Sequence, residues 1–138
     1  MIHNNSEIEQ FIYDVLEAFL GADTIGGDLY MEDCRPLDST EEDAVILVSP
    51  YTTAEQIQTG RVRINFYVPD IDAGVGRLLP DKERLAEIAS LQNAIVDSLN
   101  EQSSDYLFSL ARASHTGAEE GINQHYVNVT IDFKLLTF

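Results

Sequence analysis

Basic residues are few in this sequence: 8 Lys and Arg face 24 Asp and Glu, for a formal charge of −16 and a pI near 4.2. A surface of that sign is repelled at long range by phosphate backbones and anionic membranes, so tight binding to nucleic acid or to a lipid surface is not expected. Cysteine occurs once, at Cys34, which rules out a disulfide within the chain and fits a reducing compartment. With no base spaced to activate it, it reads as a buried, unreactive thiol. Long apolar runs are missing too. The longest, AVILV at 44–48, falls far short of the roughly 20 residues needed to cross a bilayer. The opening MIHNNSEIEQ has neither the basic nor the apolar segment of a secretion signal. A soluble, cytosolic protein is the expectation.

Spacings that carry catalysis are also absent. His3, His115 and His125 are the only imidazoles, and none stands in a metal-binding spacing such as H-E-x-x-H. His115 sits beside Thr116 and Gly117, where it is expected to cap a turn, and His125 opens a strand as a surface residue. Gly26-Gly27 and Gly74-x-Gly76 are not followed by a phosphate-binding helix. Asp70-x-Asp72 begins like a calcium loop, with Asp81 twelfth. Val75, however, occupies the sixth place, where the turn needs glycine, and Leu78 and Leu79 fall among the ligands. The acid run DSTEED, 38–43, reads as a solvated loop rather than a metal trap. No catalytic residue, cofactor or metal is expected, and the chain is read as a non-enzyme.

What is present is enough for one domain spanning 1–138: at this length roughly two thirds of the unfolded surface can be buried. SEIEQFIYDVLEAFLG, 6–21, predicts a helix, with Ser6 and Glu9 as a capping box, one apolar stripe from Ile8 to Leu20, and Gly21 as the stop. DKERLAEIASLQNAIVDSLN, 81–100, predicts a second, N-capped by Asp81. GDLYMEDC contains a short edge strand, and AVILV, apolar on both parities, reads as a strand buried on both faces or covered by a helix. SPYTTAEQIQTG is long enough to protrude as an arm into which Tyr51, Thr52, Thr53 and Ile57 extend the flanking strands. VPDIDAGVGRLLP, 68–80, is a loop, DYLFSLARASH a strand, and HTGAEEGINQ a turn. The fold class expected is α+β, with a mostly antiparallel sheet of four or five strands and two helices on one face.

Two strands show strict alternation. Val62, Ile64, Phe66 and Val68 point one way, against Arg61, Arg63, Asn65 and Tyr67. In the last strand, Val127, Val129, Ile131, Phe133 and Leu135 alternate with Tyr126, Asn128, Thr130, Asp132 and Lys134. The polar sides match and hold several of the few basic residues. Cross-strand pairing of Arg61 or Arg63 with Asp132 is one reading of them, worth about 0.2–1 kcal/mol per pair. The other is a subunit or partner surface made of Arg61, Arg63, Tyr67, Asn128, Asp132 and Lys134, since interfaces favour tyrosine and arginine.

The order of these elements, together with EQIQTGRVRINFYVPD, PDKERLAEIASLQNAIVDSLN and GINQHYVNVTIDFKLL, resembles the small tail-completion and tail-terminator proteins of long-tailed bacteriophages and prophages over nearly the whole chain. The resemblance implies an α+β subunit that assembles with copies of itself into a ring, commonly a hexamer, at the head-proximal end of the tail. There it stops growth of the tube and joins the tail tube protein to the head connector protein. It implies no catalytic residues, and a place in the bacterial host cytoplasm during assembly and in the virion tail afterwards. A neighbouring head-closure or neck component is the alternative station, and a small α+β ligand-binding regulatory domain the alternative class. An acidic ring also suits passage of DNA, because it does not grip phosphates.

Overall fold

The computed structural model describes residues 3–53, 57–119 and 121–136. In chain order they form α1 (Asn5–Leu20), β1 (Leu29–Met31), β2 (Ala44–Thr53), β3 (Ile57–Pro69), β4 (Ile71–Asp72), β5 (Leu78–Leu79), α2 (Lys82–Ala89), α3 (Gln92–Glu101), β6 (Tyr106–Leu110), β7 (His115–Glu119) and β8 (Gln124–Leu136). The α+β class and the mostly antiparallel sheet are as the sequence predicts, with differences in detail.

The stripe of α1 buries Ile8, Ile12, Val15, Leu16 and Leu20. Its N-cap is Asn4, not Ser6: Asn4 is the residue with extended backbone, and its Oδ1 accepts the Glu7 amide at 2.8 Å. Gly21 ends the helix at a positive φ of 58°, and its N–H donates to the Glu17 carbonyl. Asp81 caps α2 as predicted, accepting the Arg84 amide at 3.2 Å. The predicted second helix is nevertheless two. Ser90 Oγ donates back to the Glu87 carbonyl, and the Leu91 amide reaches only three residues back, to Ile88, which interrupts the α-ladder before α3 resumes.

The main sheet runs β1-β2-β3-β8, with β6 and β7 both on the far side of β8. Only β1 and β2 are parallel. Six strands replace the expected four or five because His115–Glu119, which the glycines mark as a turn, pairs with Gln124–Asn128. Gly117 is there for close approach: a Cβ at this position would lie 2.6 Å from the Tyr126 ring. The arm is present as the β2–β3 hairpin, but Ile57–Gly60 is backed by Phe133–Leu136 of β8, so that half is interior to the sheet. Residues 54–56 of the arm lie outside those described. The predicted 68–80 loop contains a small separate hairpin, β4 with β5.

Val62, Ile64, Phe66 and Val68 of β3 join Val127, Val129, Ile131 and Phe133 of β8 in a core closed by all three helices. One sheet face is thus roofed by helices and, among the described residues, the opposite one carries none. At the β6 edge, Asn100 of α3 behaves like a neighbouring strand. Its Nδ2 donates to the Phe108 carbonyl at 3.0 Å and its Oδ1 accepts the Phe108 amide at 2.8 Å. This satisfies an edge that otherwise invites pairing with another chain. Asn100→Leu is expected to cost about 1–3 kcal/mol in urea unfolding, because two half-buried backbone groups lose their partners, and to raise the tendency to aggregate in static light scattering.

Candidate functional site

The thirteen-residue pairing of β3 with β8 sets Arg61 opposite Asp132, Arg63 opposite Thr130, Asn65 opposite Asn128, Tyr67 opposite Tyr126, and Thr59 opposite Lys134. All six candidate residues therefore stand on two neighbouring strands, on the helix-free face. They do different things there. Arg61 Nε meets Asp132 Oδ1 at 2.9 Å, the cross-strand pair that alternation predicts. Asn128 is buried and its hydrogen bonds stay inside the chain: Nδ2 donates to Asn65 Oδ1 at 2.7 Å, and Oδ1 accepts from Thr130 Oγ1 at 2.6 Å. Asn128 thus serves the face by rigidifying it rather than by presenting an amide to a partner. The Tyr67 and Tyr126 rings lie 6.0 Å apart. Arg63 and Lys134 have no side-chain hydrogen bond or ion pair among the described residues.

A strap between β1 and β2 crosses one end of this face. Arg35 anchors it, with Nε on Asp43 Oδ2 at 2.9 Å, Nη2 on Gln124 Oε1 at 2.8 Å, and its guanidinium carbon 4.1 Å from the centroid of the Tyr67 ring. Asp43 is 1% exposed and also accepts the Ser39 hydroxyl at 2.6 Å and the Asp28 amide at 2.9 Å. DSTEED is therefore not a free solvated loop. Its Asp43 is the anchor just described, and its Glu42 is paired with Arg84 of α2 at 2.6 Å. The reason is non-local: Arg35 and Arg84 reach these acids from other elements. Burial by itself drives the Asp43 carboxyl up, but the bonds from Ser39, the Asp28 amide and Arg35 outweigh it and hold the group below its ordinary value. Burial pushes the Tyr67 hydroxyl up, and Glu119 adds to this while Arg35 opposes it.

Cys34, expected to be buried, is exposed on the same strap. His115 stands exposed on β7 rather than capping a turn. His125 is not a plain surface residue, since its Nδ1 lies 2.7 Å from Asp70 Oδ1. Among the described residues, no three His, Cys, Asp or Glu side chains are grouped to hold a metal, and no helix is long and apolar enough to cross a membrane. The strap and sheet together enclose an open cleft of about 450 Å³ with Tyr67 and Asn65 in its lining. Sequence reading missed the strap's anchors, Arg35 and Gln124, because the two are 89 positions apart. The face as built carries aromatic and basic groups, and among the described residues no nucleophile, base and acid converge on one point there.

No family model matches the chain, and no curated protein matches it. Solved structures do match. One superposes with a TM-score of 0.50 at 13% identity, covering 96% of this chain and 93% of its own, under a name that describes no activity. That likeness supports the α+β fold over the whole length.

Asp43→Ala is expected to cost about 3–5 kcal/mol, because it leaves Arg35 charged and largely buried without its partner. The pH dependence follows from the depressed carboxyl. The unfolded chain binds the proton more readily, so the Asp43 contribution is complete above the ordinary carboxylate pKa of 3.8 and is lost as pH falls through the lower folded value. Urea unfolding of both proteins across the acid range should show their stabilities converging as pH falls.

Proposed function

We propose that the chain is a structural subunit of a phage or prophage tail, a tail-completion or tail-terminator protein that acts by assembly and not by catalysis. Copies join into a ring at the head-proximal end of the tail, as in the proteins it resembles, and the ring docks tail tube protein on one side and head connector protein on the other. The observation that supports this reading is the helix-free sheet face. On it, a chain of net charge −16 places Arg63 and Lys134 with no acidic partner of their own, beside the Tyr67–Tyr126 pair and the 63%-exposed Leu107. Unpaired cations on a rigid sheet are complementary to an acidic neighbour, and every copy of this chain is one. A head-to-tail contact of that kind closes into a ring when its rotation permits.

The acidic balance also suits a ring that lets DNA pass without binding it. Arg61 is less diagnostic than Arg63, because its charge already meets Asp132 at 2.9 Å. The test is assembly measured by light scattering and electron microscopy, with and without a tail tube protein. Wild-type protein is expected to form rings, alone or on tubes. Arg63→Glu combined with Lys134→Glu is expected to abolish them while leaving circular dichroism unchanged. Rings that survive both reversals would remove this face from assembly, and tight, salt-sensitive binding to duplex DNA would count against the whole reading.

A further inference from the structure

The β4–β5 hairpin is a two-stranded sheet of its own, apart from the main sheet. Every residue from Ile71 to Leu78 is exposed, and a lone two-stranded hairpin is marginal in water. Its turn is nevertheless built with care. Asp72 Oδ1 accepts the Gly74 amide at 2.9 Å, and Gly74 and Gly76 hold positive φ of 78° and 83°, a backbone that side chains resist. The turn displays apolar side chains: Ile71 is 44% exposed, Val75 62% and Leu78 43%. Residues 71–79 carry two charges: that of Asp72, whose Oδ1 is engaged by the Gly74 amide, and that of Arg77, whose side chain has no hydrogen bond or ion pair among the described residues. A defined turn that presents apolar groups and an unpaired arginine is shaped to be received by something.

The receiving shape is the cleft beneath the strap. It has Val45 and Leu47 in its lining, the 96%-exposed Leu37 on its wall, and the carboxylates of Glu32, Asp33 and Glu119 around it. Arg35, the basic residue lining it, is already bound to Asp43 at 2.9 Å, so the rim stays negative. Apolar lining with an acidic rim complements an apolar knob with an arginine beside it.

We infer that the hairpin of one copy inserts into the strap cleft of the next, Val75 and Leu78 against Val45, Leu47 and Leu37, with Arg77 among the rim carboxylates. The contact joins two different patches, so it is heterologous and propagates around a ring. It deepens the tail-subunit reading by adding a second subunit contact to that of Arg63 and Lys134, and rests on that reading only for the ring.

The exposed Cys34 lies on the strap between the cleft-lining Asp33 and Arg35 and allows a direct test. One copy carries Cys34→Ser with Val75→Cys, and is mixed with wild-type protein under mild oxidation. Each chain then has one thiol, and no link within a chain is possible. The expected product is the mixed disulfide between Cys34 and the thiol introduced at position 75, mapped by mass spectrometry, in excess over both like-with-like dimers. Arg77→Glu in the hairpin donor should abolish that excess. Asp33→Lys with Glu119→Lys in the wild-type copy should restore it. A statistical mixture of dimers, or no mixed product, would overturn the contact. Rings that form without this cross-link reject the contact and leave the tail reading standing, whereas the cross-link in a protein that never joins a tail does the reverse.

Discussion

The β3–β8 pairing is the constraint on which the rest depends. Thirteen consecutive residues of each strand are in register, and because side chains alternate, that register decides both faces at once. A slip of β3 by one residue would turn Ile64 and Phe66 to water and bring Arg61 and Arg63 beneath the helices. Burial of the apolar set, worth about 1.5–3 kcal/mol for each large side chain, therefore also fixes where the charges of the polar face stand.

Around this pair, buried or half-buried amides and one carboxylate tie other segments to the strands. Gln58 takes both backbone groups of His3, Asn100 does the same for Phe108, Gln124 reaches Arg35 and the strap carbonyls, and Asp43 gathers Ser39, Arg35 and the Asp28 amide. Each is a polar group that would be costly alone and is satisfied by a specific neighbour. The result is a face held still. Tyr67 is fixed beneath Arg35 on one side and beside Tyr126 on the other, which suits a surface that binds by fit.

Periodicity made much of this legible. The first helix begins and ends within a residue of its predicted span, and the alternation in β3 and β8 named the buried set and the polar set correctly. What escaped was non-local or depended on one side chain's choice. Ser90 turns back on Glu87 and splits a helix whose apolar spacing runs on unbroken through Leu91. Gly117 looks like a turn signal until Tyr126 is placed against it. DSTEED looks hydrated until Arg35 and Arg84 arrive from other elements. The six polar candidates share one face, as alternation requires. Alternation cannot tell that Arg61 and Asn128 are satisfied within the chain while Arg63 and Lys134 are not.

The central strand β8 is also the last element in chain order, and its partners in β3 lie 71 positions upstream at the Arg61–Asp132 pair. Contacts so distant in sequence close slowly, since a long loop must be ordered before they form. On the ribosome, β3 would emerge with one flank unoccupied and wait there until nearly all of the domain has been synthesised. Chains cut short before Gln124 lack the strand that completes the sheet, so incomplete translation products would not hold the core that β3 and β8 share.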